Sequence, residues 1–220
     1  MSTVERLLNA AKDIWDGYHT HPFVEGLKYG SLDPEKFRWY MIQDFWYLME
    51  YTKVFAVGVA KSQSIETMKM FAKYIQAILN GEVNVHNGYM ADFGITKEEL
   101  ENTPIAQDNR SYTNYMLSVA YKGGEAEVLT AIFSCAYSYE VIAAKIVADV
   151  PSAPDHPRYG RWVRGYITPR YTGNNVILME MLEKLTADYT EQQLRYLEEI
   201  FVFCSRYEAS FWDMAWEHRL

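Results

Sequence analysis

Residues 37–55, FRWYMIQDFWYLMEYTKVF, carry aromatic or aliphatic side chains around most of a helical circumference. A segment patterned that way is a buried helix, because it keeps no polar stripe to turn toward water. Asp44 lies in the middle of it. A carboxylate taken out of water costs several kcal/mol unless something pairs with it. No lysine or arginine stands one helical turn away on either side, so the expected partner is a ligand or a group delivered by a distant segment.

Outward from this stretch, helical periodicity continues. Val4, Leu7, Leu8, Ala11, Ile14, Trp15 and Tyr18 recur at i, i+3, i+4 spacing. His21-Pro22 interrupts that helix, and a short one follows as far as Gly30. Asp33-Pro34 is a start signal: a capping side chain followed by proline at the first helical position. Further helices are predicted over 64–79, 82–93, 106–121, 125–147, 158–166, 174–187 and 190–218. Thr96 with Glu99, and Thr190 with Gln193, read as capping boxes. Gly123-Gly124 separates two helices, and residues 151–157 (PSAPDHP) form the clearest loop. With no strand alternation and no repeats, the chain is predicted to be one all-α domain spanning 1–220, a helical bundle.

The composition narrows the function. A net charge of -8 with no basic stripe argues against nucleic acid as a partner. Two cysteines, Cys135 and Cys204, are too few for a secreted disulfide scaffold. The first fifteen residues are charged and amphipathic, unlike a signal peptide. No apolar run is expected to reach membrane-spanning length. These features lead us to expect a soluble, reduced, cytoplasmic protein without a membrane partner.

Chemistry-bearing residues fall on apolar helix faces. Tyr40, Asp44, Tyr47 and Tyr51 share one face by i+3 and i+4 spacing, Cys135 and Tyr139 a second, and Phe201, Cys204, Glu208 and Phe211 a third. Taken singly, each has a plainer role. A lone cysteine packs as a small hydrophobe, tyrosines fill cores, and a late-helix glutamate pairs with an arginine such as Arg206 or Arg219. If the three faces converge, they form a site with two carboxylates, a thiol and aromatic walls. Other chemistries lack their signatures. No Glu-x-x-His pair suggests a di-iron site, Glu82 and His86 make only an isolated pair, and CxxC, HExxH and phosphate-cradling glycine motifs are absent. His19 and His21 sit just before Pro22 at a helix end, where capping or a turn is the expected role.

Six stretches then point to a family: 21–27 (HPFVEGL), 37–48 with its Gln43-Asp44 pair, 111–116 (SYTNYM), Cys135-x-x-x-Tyr139, 162–166 (WVRGY) and 207–215 (YEASFWDMA). In this order they resemble the TenA family, the thiaminase II or aminopyrimidine aminohydrolase proteins, in its cysteine-containing branch. The resemblance implies a haem-oxygenase-like all-α bundle, a homotetramer, no cofactor and no metal. The implied substrate is a small aminopyrimidine or thiamin. It also implies that Asp44 holds the amidine-like edge of a 4-aminopyrimidine, Cys135 is the nucleophile and Glu208 the acid/base. Tyr47, Tyr112, Tyr139 and Tyr166 would line or stack on the ring, although Tyr159 and Tyr171 lie close enough in sequence to compete with Tyr166. Ser134 departs from the pattern, where a proline often precedes the cysteine. Glu140 has no implied role. The alternative is a non-catalytic pyrimidine-binding or regulatory protein on the same fold.

Overall fold

A computed structural model describes the backbone of all 220 residues and the side chains of residues 1–81 and 88–220. The Glu82–His86 side-chain pair therefore lies outside the described residues. The chain runs through α1 (Thr3–Tyr18), α2 (Pro22–Tyr29), α3 (Pro34–Lys61), α4 (Ile65–Ala77), α5 (Val83–Asp92), α6 (Lys97–Asn102), α7 (Gln107–Lys122), α8 (Glu125–Asp149), α9 (Gly160–Tyr166), α10 (Pro169–Leu185) and α11 (Glu191–Glu217). No strand occurs among the described residues. The all-α expectation holds.

The local signals account for most helix starts. Asp33 accepts from the Glu35 amide, with Pro34 at the first position, and His21 caps α2 through its Nδ1 from the Phe23 amide. Thr190 and Gln193 form the expected reciprocal box. Thr96 forms only half of one: it accepts from the Glu99 amide at 3.1 Å, while the Glu99 carboxylate turns to Arg38. An ion pair with a neighbouring helix outcompetes the local bond. Two boundaries differ from the sequence reading. α10 begins at Pro169 rather than near 174, because Thr168-Pro169 repeats the cap-plus-proline signal of Asp33-Pro34. The helices expected at 64–79 and 82–93 join through a π-helical turn, Ile78–Glu82. Such a turn inserts an extra residue and often borders a functional site.

α8 is the centre of the bundle and packs against α3, α7, α9, α10 and α11, while α1 lies along α11. By length and composition α8 could cross a membrane, contrary to the expectation that no apolar run would be long enough. Its apolar surface is instead buried by neighbouring helices, from Val128 and Leu129 through Ile142 and Ile146. Two glycines set close approaches that seat α9. Gly30 ends α2 with φ 71°, where a Cβ would lie 2.4 Å from the His156 ring. At Gly160 a Cβ would meet the Pro154 carbonyl oxygen at 2.2 Å.

Candidate active site

The site begins with Gln43, whose fully buried amide pins α3 to the start of α7. Its Nε2 donates to the Pro104 carbonyl at 2.9 Å, its Oε1 accepts from the Ala106 amide at 2.9 Å, and Asn109 Nδ2 donates to its backbone carbonyl at 2.8 Å. With α3 fixed, its next residue, Asp44, and the tyrosines one turn to either side are held facing α8. The Tyr51 hydroxyl donates to the Ile132 carbonyl at 2.9 Å, and Tyr40 reaches the Tyr139 hydroxyl at 3.4 Å while receiving Trp162 Nε1 at 3.3 Å. The four-residue face on α3 is buried throughout, as its spacing predicts.

Buried polar contacts also fix α8 against α11. Ser134 Oγ lies 3.1 Å from Ser205 Oγ, which takes the Trp15 indole N–H at 2.8 Å. The Tyr18 hydroxyl donates to the Ser205 carbonyl at 2.5 Å. Ser134 therefore has a structural reason of its own: it contributes a hydroxyl to a bridge between the helix of Cys135 and the helix of Glu208.

These braces border a cavity of about 60 Å³ lined by Asp44, Tyr47, Tyr51, Cys135, Tyr139, Tyr166 and Tyr171, with Tyr74, Ile78 and Asn175 among its other walls. Asp44 is the only charged residue among the described lining residues. The Tyr74 hydroxyl donates to the Asn174 carbonyl at 2.5 Å, closing α4 onto α10. Tyr166 belongs to the wall, its ring 4.8 Å from Tyr139 and 5.1 Å from Tyr171. Tyr159 points elsewhere, its hydroxyl on the Leu32 carbonyl at 2.6 Å.

Two of the expected residues stand one layer back. Tyr112 and Glu208 do not line the cavity; Tyr112 packs against Tyr47 with ring centres 5.3 Å apart. Glu208 is 2% exposed, and burial pushes its carboxyl up to about 7. The Tyr139 and Tyr112 hydroxyls and the Cys135 thiol oppose that rise, and the Asp44 charge adds to it. Glu208 is thus within electrostatic reach of both Asp44 and Cys135. Its Oε2 and the Tyr112 hydroxyl are buried, and neither makes a hydrogen bond of good geometry among the described residues. An uncharged carboxyl tolerates that arrangement far better than a carboxylate does. The alternative partners Arg206 and Arg219 are not used: Arg219 pairs with Asp108 and Glu217, and Arg206 lies over the Phe203 ring.

Cys204 is fully buried with its thiol pushed up, chiefly by burial and then by Glu208. Neither cysteine is in a disulfide. His21 Nε2 lies 3.2 Å from Asp213. Among the described residues no group of three or more His, Cys, Asp or Glu side chains could hold a metal. Sequence reasoning raised Tyr171 as a rival to Tyr166 but missed the rest of what α10 contributes. The further signal was Asn175 at i-3 and i-7 from Leu178 and Leu182, a polar residue on an apolar face.

Comparison with known proteins identifies relatives of the whole chain. The chain is 41% identical over 217 residues to the aminopyrimidine aminohydrolase of Helicobacter pylori, covering 99% of this chain and 100% of that one. It is 37% identical to the aminopyrimidine aminohydrolase of Halalkalibacterium halodurans, covering 100% and 98%. Among solved structures, a TenA homologue from P. horikoshii OT3 superposes with a TM-score of 0.88 at 28% identity, covering 99% of both chains. A Shewanella denitrificans domain described as having a heme oxygenase-like fold superposes at 0.79 with 14% identity, over 98% and 92%, and shares the fold alone. The family match itself runs over residues 8–218, nearly the whole chain, and with these end-to-end relatives it establishes that the protein belongs to the TENA/THI-4/PQQC family.

Proposed function

We propose that this protein is an aminopyrimidine aminohydrolase of the thiaminase II type. It hydrolyses 4-amino-5-aminomethyl-2-methylpyrimidine to the hydroxymethyl compound, cleaves thiamin at the same bond, and serves thiamin salvage in the cytoplasm. The observation that carries this reading is a carboxylate from α3 and a thiol from α8 in the wall of one tyrosine-lined cavity, with a second, proton-holding carboxyl from α11 buried one layer behind and within electrostatic reach of both. Binding a pyrimidine needs neither the thiol nor the second carboxyl, so the non-catalytic alternative leaves both unexplained.

Direct displacement at the pyrimidine methylene is slow because the aromatic ring resists positive charge there. Covalent addition splits that step in two. Cys135 sulfur bonds the ring carbon beside the substituted one, Glu208 delivers a proton to the adjacent ring nitrogen, and the thiol proton passes to the carboxylate so formed. Electrons released from the now non-aromatic ring expel the amine, or the thiazole of thiamin. Water adds to the exposed methylene, its proton leaving with the amine, or passing to solvent when the neutral thiazole is the group expelled. The ring then returns its proton and the Cys135 sulfur departs. Asp44 accepts two parallel hydrogen bonds from the ring nitrogen and amino group and stabilises the protonated ring. Tyr47, Tyr139 and Tyr166 stack on the pyrimidine, and Tyr112 steadies Tyr47 and faces Glu208. The chain acts as one domain without cofactor. Assembly as a homotetramer would cover apolar surface such as the groove of Phe45, Trp46, Met49 and Leu100.

Mass spectrometry of products formed from the aminomethylpyrimidine and from thiamin tests the reaction. Cys135→Ser is expected to abolish turnover while binding hydroxymethylpyrimidine within about threefold of wild type, a difference below ~1 kcal/mol. Near-normal turnover by that variant would remove Cys135 as nucleophile.

A further inference from the structure

Asn175 lines the cavity yet is only 2% exposed, and its amide is held in one orientation. Nδ2 donates to the Ala136 carbonyl at 3.2 Å and to Glu140 Oε2 at 2.7 Å. Both amide hydrogens are thereby committed to α8. Turning the amide over would set its oxygen against a carbonyl and a carboxylate, so Glu140 excludes that state. Asn175 Oδ1 is the polar atom left for the cavity, and it only accepts hydrogen bonds. Glu140, which the family resemblance leaves without a role, acts here as the positioning residue for that acceptor. The same Ala136 carbonyl takes the Tyr171 hydroxyl at 2.8 Å, which ties this stretch of α10 to the helix turn that follows Cys135.

From this geometry, and resting on the aminopyrimidine reading above, we infer that Asn175 Oδ1 is the acceptor for the leaving amine. It selects pyrimidines whose methylene carries an N–H donor over those whose substituent carries none. An ammonium or amine gives it a hydrogen. The thiazolium nitrogen of thiamin, bonded to carbon on all sides, has none to give. Asn175 therefore contributes to recognition of the aminomethyl substrate and not to that of thiamin. Asp44 and the tyrosines serve the pyrimidine common to both.

The test uses calorimetry in the Cys135→Ser protein with two ligands: 4-amino-5-aminomethyl-2-methylpyrimidine, and 4-amino-2,5-dimethylpyrimidine, which presents the same ring without the N–H. Adding Asn175→Leu is expected to weaken the first at least tenfold and the second less than threefold. Glu140→Gln keeps Asn175 in the wall but leaves only the Ala136 carbonyl to oppose the turned amide, and is expected to give an intermediate loss confined to the first ligand. In enzyme retaining Cys135, Asn175→Leu should lower kcat/KM for the aminomethyl compound by the same factor and leave thiamin cleavage within threefold. Equal weakening of both ligands, or no change in either, would overturn the assignment. Should wild-type enzyme turn over neither substrate, the catalytic proposal falls, while the two-ligand comparison still decides the role of Asn175.

Discussion

Glu208→Gln is the most informative substitution, because it removes a charge the fold disfavours and a proton the reaction requires. The carboxyl is fully buried and rises from 4.5 to about 7, so its ionised form is disfavoured in place by roughly 3 kcal/mol at about 1.36 kcal/mol per pH unit. Between these two values the folded chain holds a proton that the unfolded chain has released. Stability therefore falls as pH rises across that window and levels off above it. Glutamine cannot titrate. The stability difference between variant and wild type is thus expected to shift in favour of Glu208→Gln by about 3 kcal/mol between pH 4.5 and pH 8, whatever small packing offset exists at the acid end. Urea unfolding of both proteins at pH 4.5, 6, 7 and 8 measures this directly, since titrating groups that do not interact with Glu208 cancel in the difference. The same variant should lose about 100-fold or more in kcat, the usual worth of general acid catalysis. Wild-type activity should decline as pH rises through about 7, and that limb should vanish from the variant's residual rate. A stability difference that stays flat with pH would show that the carboxyl titrates normally. The proton-delivery role would then have no physical basis.

Asp44→Asn keeps the side chain's shape and removes one acceptor and the charge. Binding of hydroxymethylpyrimidine by calorimetry should weaken by about 1.5–3 kcal/mol, the range for a charged hydrogen bond, and by the same amount for thiamin. Gln43→Leu leaves the Pro104 carbonyl and the buried Ala106 amide without their partner and should cost about 3 kcal/mol in urea unfolding. Ser134→Ala should cost only about 1 kcal/mol, because Ser205 Oγ keeps the Trp15 indole as its donor. A loss of several kcal/mol there would mean that the bridge between α8 and α11 carries more than one hydrogen bond.

Periodicity, caps and prolines determine where the helices lie and which faces are apolar, and those signals act within a few residues of one another. That is why the all-α class, the α3 face of Tyr40, Asp44, Tyr47 and Tyr51, and the α11 stripe through Glu208 could be read from the chain alone. The half-formed box at Thr96 was misread because its glutamate had a better partner 61 residues away in Arg38. Tertiary structure decides the rest, because burial and long-range distance have no expression in local spacing. Only packing sets Glu208 one layer behind the cavity wall, and its burial there, with the charge of Asp44 nearby, raises the carboxyl to about 7. Packing likewise brings α10 across α8, where Glu140 takes an amide hydrogen of Asn175 and leaves that residue's oxygen for the cavity.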